Sequence, residues 1–71
     1  MKPKVRTVAE YLDELERTKG SRPDQVKEGL AIYIELWRKA VEGGVISLTD
    51  DVEGALEKID KKGGLYSAAD A

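Results

Sequence analysis

The hydrophobic pattern is strongest between Pro23 and Gly43, where apolar residues recur with the period of a helix. The members of this stripe are Val26, Leu30, Tyr33, Trp37 and Val41. Their spacing predicts one long helix over residues 22–42. From Leu30 to Ile34 the pattern is apolar on every side, which indicates burial from more than one direction. Because 71 residues supply little covering surface, we expect a second copy to supply part of it in an intertwined homodimer.

Two shorter stripes predict one helix on either side of the long helix. The first helix covers about residues 8–18, with Thr7 and Glu10 in the spacing of a capping box. Ser21 is the expected N-cap of the long helix. The third helix covers about residues 50–62, and we expect the residues after it to form a loosely attached tail.

The first residues of the chain alternate between basic and other side chains. Lys2, Lys4 and Arg6 alternate with Pro3, Val5 and Thr7. This is the period of a short strand over residues 2–7 with one basic face. No second strand is predicted, so the segment either pairs with another copy or is disordered. The predicted fold class is therefore mainly α, with this strand followed by three helices in one domain.

Composition narrows the function classes. The formal net charge is −2, but residues 1–8 carry three basic residues and no acid, whereas residues 43–71 carry six acids and three lysines. The chain has no cysteine and no histidine, which removes thiolate metal sites and the usual general base. We expect no cofactor, no metal site and no enzymatic activity. The absence of a signal peptide or membrane-length apolar run predicts a cytoplasmic protein with no membrane partner.

The order of these features resembles the ribbon-helix-helix repressors, the Arc and MetJ-like superfamily. The matching segments are Lys2–Thr7 as ribbon, Leu12 and Leu15 in the first helix, Gly20-Ser21-Arg22 as the turn, and Val26, Gly29-Leu30 and Tyr33 in the second helix. The resemblance covers about residues 2–40. Residues 1–44 then form the ribbon-helix-helix-like segment, and residues 45–71 form a C-terminal helical extension.

The resemblance implies a small dimeric DNA-binding protein, such as a transcriptional repressor or an antitoxin. Lys2, Lys4 and Arg6 would read double-stranded DNA in the major groove, while Ser21 and Arg22 would hold a phosphate. The implied core and dimer residues are Val5, Leu12, Leu15, Val26, Leu30, Tyr33, Ile34 and Trp37. In this hypothesis the extension over residues 45–71 binds a protein partner or enlarges the dimer.

The alternative is an all-α protein–protein interaction module without nucleic-acid binding. Three helices would form a bundle, residues 1–7 would be a disordered tail, and the long helix would contact a second copy or another partner. The apolar belt from Leu30 to Ile34 fits both hypotheses. The two hypotheses differ most clearly in the structure that they expect for residues 2–7.

Overall fold

The computed structural model describes residues 6–70, and this part of the chain is mainly helical. Its helices are α1 (Val8–Gly20), α2 (Asp24–Glu42), α3 (Val52–Lys61) and α4 (Leu65–Ala69). The three predicted helices are therefore present within a few residues of their expected bounds. A fourth helix stands where the sequence predicts a loose tail.

The predicted N-terminal strand is wrong for the residues that can be checked. No β-strand occurs within residues 6–70, and residues 2–5 lie outside the described residues. Thr7 forms one isolated antiparallel bridge with Asp51 of the same chain. The Val52 N–H donates to the Arg6 carbonyl at 2.9 Å. The backbone next to the first helix is thus paired at the start of α3, where the sequence pattern shows no strand to serve as a partner.

The start of α1 follows the prediction. The Glu10 N–H donates to the Thr7 hydroxyl oxygen at 3.2 Å, and the Thr7 N–H donates to the Glu10 carboxylate at 3.2 Å. This reciprocal pair satisfies two backbone donors that an uncapped helix would leave unpaired. Because Thr7 caps α1, the chain becomes helical immediately after it.

The turn between α1 and α2 differs from the prediction. Ser21 is the C-cap of α1, and its hydroxyl donates to the Thr18 carbonyl at 3.1 Å. Pro23, with an extended backbone, is the N-cap of α2 and makes no side-chain cap hydrogen bond. Proline disfavours helical dihedral angles at the residue before it. That preference keeps Arg22 outside the helix and moves the start of α2 to Asp24.

The core lies where α1 and α4 pack on α2, and α3 contacts both α1 and α4. The buried apolar side chains are Val8, Leu12, Ile34, Trp37, Ala40, Ile46, Ala55, Ile59 and Ala68. Trp37 is 1% exposed. Its ring meets Tyr11 and Tyr33 edge-on, with centroids 5.2 Å and 6.2 Å away. Edge-to-face packing suits the aromatic quadrupole and fixes α1 against α2.

The C-terminal part packs within its own monomer. Gly63 and Gly64 have φ angles of +96° and +117°, which glycine adopts without the strain of a side chain. They reverse the chain so that α4 returns to α2, where Ala68 is completely buried. The predicted loose tail is therefore wrong. Residues 45–69 complete the core of this chain, and only their exposed side chains remain available to a partner.

Candidate interaction surfaces

The predicted DNA-reading residue Arg6 is held by the protein itself. Its guanidinium lies 2.6 Å from the Glu14 carboxylate, and both side chains are about half exposed. The shallow pocket around this ion pair is lined by Arg6, Glu10, Asp13, Glu14 and Arg17. Three carboxylates against two guanidinium groups do not favour a phosphate. Lys2, Lys4 and Val5 lie outside the described residues.

The predicted phosphate-holding pair lies at the opposite end of α1 from Arg6. Ser21 and Arg22 are exposed in the turn after the helix. With 13 residues, α1 is about 20 Å long, so the structure does not bring the two sets of predicted residues together. The Ser21 hydroxyl also donates to Thr18 rather than standing at the start of α2.

The residues predicted for the core and the dimer fall into three groups. Leu12, Ile34 and Trp37 are buried. Leu15 and Tyr33 are partly buried against the core, and Leu30 is partly buried. Val26 is 44% exposed. Ile32, inside the segment that is apolar on every side, is 56% exposed. One monomer therefore leaves part of the belt uncovered, and its covering by a second copy stays a prediction.

An apolar groove runs between α1 and α2, and we call it the α1–α2 groove. Its lining consists of Ala9, Leu12, Asp13, Glu16, Arg38, Val41, Glu42 and Leu48, and its volume is about 410 Å³. Leu48 is 47% exposed although it belongs to this apolar lining. The Ala9 N–H donates to the Leu48 carbonyl at 3.1 Å, which fixes this residue against the first turn of α1.

The rim of the α1–α2 groove carries charge of both signs. Arg38 contacts the Glu16 carboxylate at 3.1 Å, and Lys19 contacts the same side chain at 3.3 Å. Each of these exposed ion pairs contributes at most about 1 kcal/mol to stability. Glu42 adds a further carboxylate at the end of α2. Binding in the groove therefore depends mainly on its apolar floor, since the rim pairs are weak enough for partner groups to replace.

The loop that carries Leu48 is held by Asp50. The carboxylate of Asp50 accepts from the Lys58 ammonium at 2.8 Å and from the Ser47 N–H at 2.9 Å. These bonds, first that of Lys58, hold the pKa of the Asp50 carboxyl below its usual value. The N-cap of α3 is the next residue, Asp51. Asp50 instead ties the loop to α3 and so positions Leu48 at the groove.

A second exposed surface, with polar and apolar side chains, lies on α2 beside α4. Leu36, Lys39, Tyr66, Ser67, Ala69 and Asp70 line a depression of about 460 Å³. Tyr66 is 73% exposed. Ile32 lies one helical turn before Leu36 on the same side of α2, since residues four apart are neighbours on a helix. This side of α2 therefore continues the apolar surface past the end of α4.

Two polar groups beside the core have unusual environments. The Tyr11 and Tyr33 hydroxyls lie 3.1 Å apart and share a hydrogen bond. Burial, followed by this bond, raises the pKa of Tyr11 to about 12. The Trp37 Nε1–H is buried and has no hydrogen-bond partner in the protein. Neither feature opens into one of the two grooves, so we assign both to the core.

The fold and its surfaces define a small all-α protein with one exposed apolar groove and a second depression of mixed polarity. Within residues 6–70, no cluster of three or more acidic residues is placed to hold a metal ion. Over the same range, no helix has both the length and the apolar character needed to cross a membrane. Comparisons with protein-family models, with curated proteins and with solved structures find no match to this chain.

Proposed function

We propose that this chain is an all-α protein-interaction module that receives apolar side chains of a protein partner in the α1–α2 groove. The observation that carries this proposal is the exposed Leu48 beside the apolar floor formed by Leu12 and Val41. Apolar surface left in water costs about 25 cal/mol per Å². A partner that covers the groove recovers this energy without unfolding any part of the module.

The geometry of the groove suits a side chain rather than a small polar molecule. Its volume of about 410 Å³ is open along α1 and lies in the range of sites that accept apolar groups. The lining side chains belong to two packed helices and to a loop tied by Asp50. A site fixed in this way loses little conformational freedom on binding, which favours recognition.

DNA binding through the N-terminus stays a prediction with less structural support. The dimeric ribbon of this hypothesis requires an N-terminal strand, and no strand occurs within residues 6–70. The guanidinium of Arg6 is already paired with Glu14. Fluorescence anisotropy with a labelled DNA duplex tests this hypothesis directly. We expect weak binding without sequence preference.

A photo-crosslinking amino acid at position 48 tests the interaction module. In cells that express the chain, we expect a covalent adduct of defined mass from this position. The same crosslinker in place of Glu57, which is exposed on α3, should give no such adduct. Equal adducts from both positions would argue against a site at the groove.

A variant that fills the groove provides the matched control. Ala9 is exposed and lies at the edge of the floor, so Ala9→Gln adds bulk there without entering the core. We expect the adduct from position 48 to disappear while the thermal midpoint stays unchanged. An adduct that persists in this variant would contradict the proposed groove.

A further inference from the structure

We propose that a second surface, centred on Ile32, binds a basic amphipathic helix of a protein partner. We call it the Ile32 face and define it as Glu28, Gly29, Ile32, Glu35 and Leu36 of α2. It lies apart from the α1–α2 groove, whose α2 residues are Arg38, Val41 and Glu42. The inference goes beyond the proposed function, because it does not require the groove to be occupied.

Helix geometry gives the Ile32 face its form. On a helix the nearest surface neighbours of a residue are those three and four positions away. For Ile32 these are Glu28 and Glu35 along one side, and Gly29 and Leu36 along the other. Ile32 is 56% exposed. An apolar side chain is thus flanked by two carboxylates on one border and by an apolar path on the other.

The apolar border continues onto α4. Leu36 and Tyr66 line the same depression, and Tyr66 is 73% exposed. With 19 residues, α2 is about 28 Å long. A helix laid along α2 would therefore cover Ile32 and Leu36 and then meet the Tyr66 ring as a side wall. This is the helix-in-groove mode of recognition, with apolar anchors at helical spacing.

The two carboxylates specify the charge of the partner. Neither Glu28 nor Glu35 makes an ion pair or a hydrogen bond within residues 6–70, in contrast to Glu14 and Glu16 of α1. Asp24, four residues before Glu28, extends the same side of α2, and these three carboxylates outweigh the single positive charge of Lys39, four residues after Glu35. Lysine or arginine on the border of a partner helix would complement this acidic row.

Gly29 indicates that another helix approaches the backbone of α2 closely at this position. A Cβ atom at this position would meet no heavy atom within 4 Å, so nothing in the monomer requires glycine there. Glycine inside a helix is less stable than alanine. Its presence next to the exposed Ile32 is explained when the backbone of another helix crosses α2 at this point.

Charge argues against a second copy as the occupant. An antiparallel pairing of two α2 helices around Ile32 would place Glu28 and Glu35 of each copy along the same border of the interface. Like charges facing each other across an interface oppose association. A basic helix from a different protein meets the same apolar path with attraction instead of repulsion.

The test uses a synthetic helix of defined chemistry. The probe is a capped peptide of about 20 residues, long enough to form a helix, with leucines at intervals of four and three and lysines on both borders. A control peptide carries glutamate in place of every lysine. By isothermal titration with the full chain, we expect the lysine peptide to bind at least about tenfold more tightly than the glutamate peptide.

Variants of the protein locate the binding site. Ile32→Asp is expected to weaken the lysine peptide about tenfold or more, and the double change Glu28→Gln with Glu35→Gln should weaken it and reduce its salt dependence. Gly29→Leu should lower the affinity although it leaves the helix intact. Leu48→Asp changes only the α1–α2 groove, so it should leave the affinity unaltered.

Several outcomes would overturn the inference. They are equal affinity for the two peptides, no binding of the lysine peptide, and full affinity in Ile32→Asp. Loss of binding in Leu48→Asp alone would assign the peptide to the α1–α2 groove and not to the Ile32 face. A concentration-dependent dimer in sedimentation that Ile32→Asp dissociates would make a second copy the occupant.

Discussion

The ionisation of one side chain, Tyr11, makes the stability of this small core depend on pH. Tyr11 shares a hydrogen bond with Tyr33 and touches the ring of Trp37. Burial, with that bond second, raises the pKa of Tyr11 from 10.0 to about 12. The folded state thus favours the neutral phenol over the phenolate, because burial and the Tyr33 bond disfavour the charged form more than the nearby Arg6 charge favours it.

The raised pKa of Tyr11 predicts a loss of stability in alkaline solution. Its stabilising contribution is complete below pH 10, the unfolded value, and is lost as the pH rises towards 12. Tyr11→Phe should lower the free energy of unfolding by about 1 kcal/mol at neutral pH and should flatten the pH dependence between those values. Urea denaturation followed by circular dichroism at several pH values measures both effects. An unchanged alkaline slope in Tyr11→Phe would contradict this account.

Gly29 permits a prediction about stability that is independent of any partner. Because a Cβ atom there meets nothing within 4 Å, Gly29→Ala should raise the free energy of unfolding by about 1 kcal/mol and the midpoint by about 5 °C. Gly54→Ala is the matched control, since its Cβ atom would lie 2.7 Å from the Asp51 carboxylate. We expect a smaller gain there. Equal gains in a thermal melt would mean that the crowding at Gly54 has no effect.

At the level of helices, the sequence best predicts those helices whose apolar residues repeat over several turns. The stripe from Val26 to Val41 is long enough to specify α2, and the capping pair of Thr7 and Glu10 specifies the start of α1. Helix α4 has only five residues, which is too few for a helical period to show. It forms because Ala68 packs on α2, and short helices depend on such tertiary contacts.

The interaction surfaces were less predictable than the helices. Leu48 lies outside every predicted helix, and its exposure depends on how Asp50 ties the loop to Lys58. Ile32 was expected to lie against a second copy. Only the placement of α4 shows which side of α2 the monomer leaves open, since α4 packs on α2 but leaves Ile32 exposed.

The connection between α3 and α4 depends on glycine at positive φ. Gly64 has φ +117°, a region in which residues with side chains are strained by about 1 to 3 kcal/mol. Gly64→Ala should lower the free energy of unfolding by about that amount. Gly20→Ala, at a helical position with no neighbour within 4 Å, should not be destabilising. Chemical denaturation of the two variants measures this difference, and equal stabilities would show that the turn can adopt another conformation.

At the scale of the whole molecule, residues 6–70 form one buried core, to which every described helix contributes a side chain. A chain of this size buries a limited apolar area, so it depends on each contributor. The C-terminal helix is therefore expected to unfold together with α2. This expectation separates the observed packing from a bundle of three helices with a free tail.

Ala68→Arg tests this cooperativity. Ala68 is completely buried, so arginine would force α4 off α2 and should lower the free energy of unfolding by about 2 kcal/mol, or the midpoint by about 10 °C. Trp37 fluorescence and far-UV circular dichroism should still give the same midpoint, because the core unfolds as one unit. Ser67→Arg on the exposed side of α4 should leave that midpoint unchanged. If Ala68→Arg also left it unchanged, α4 would contribute nothing to the stability of the core.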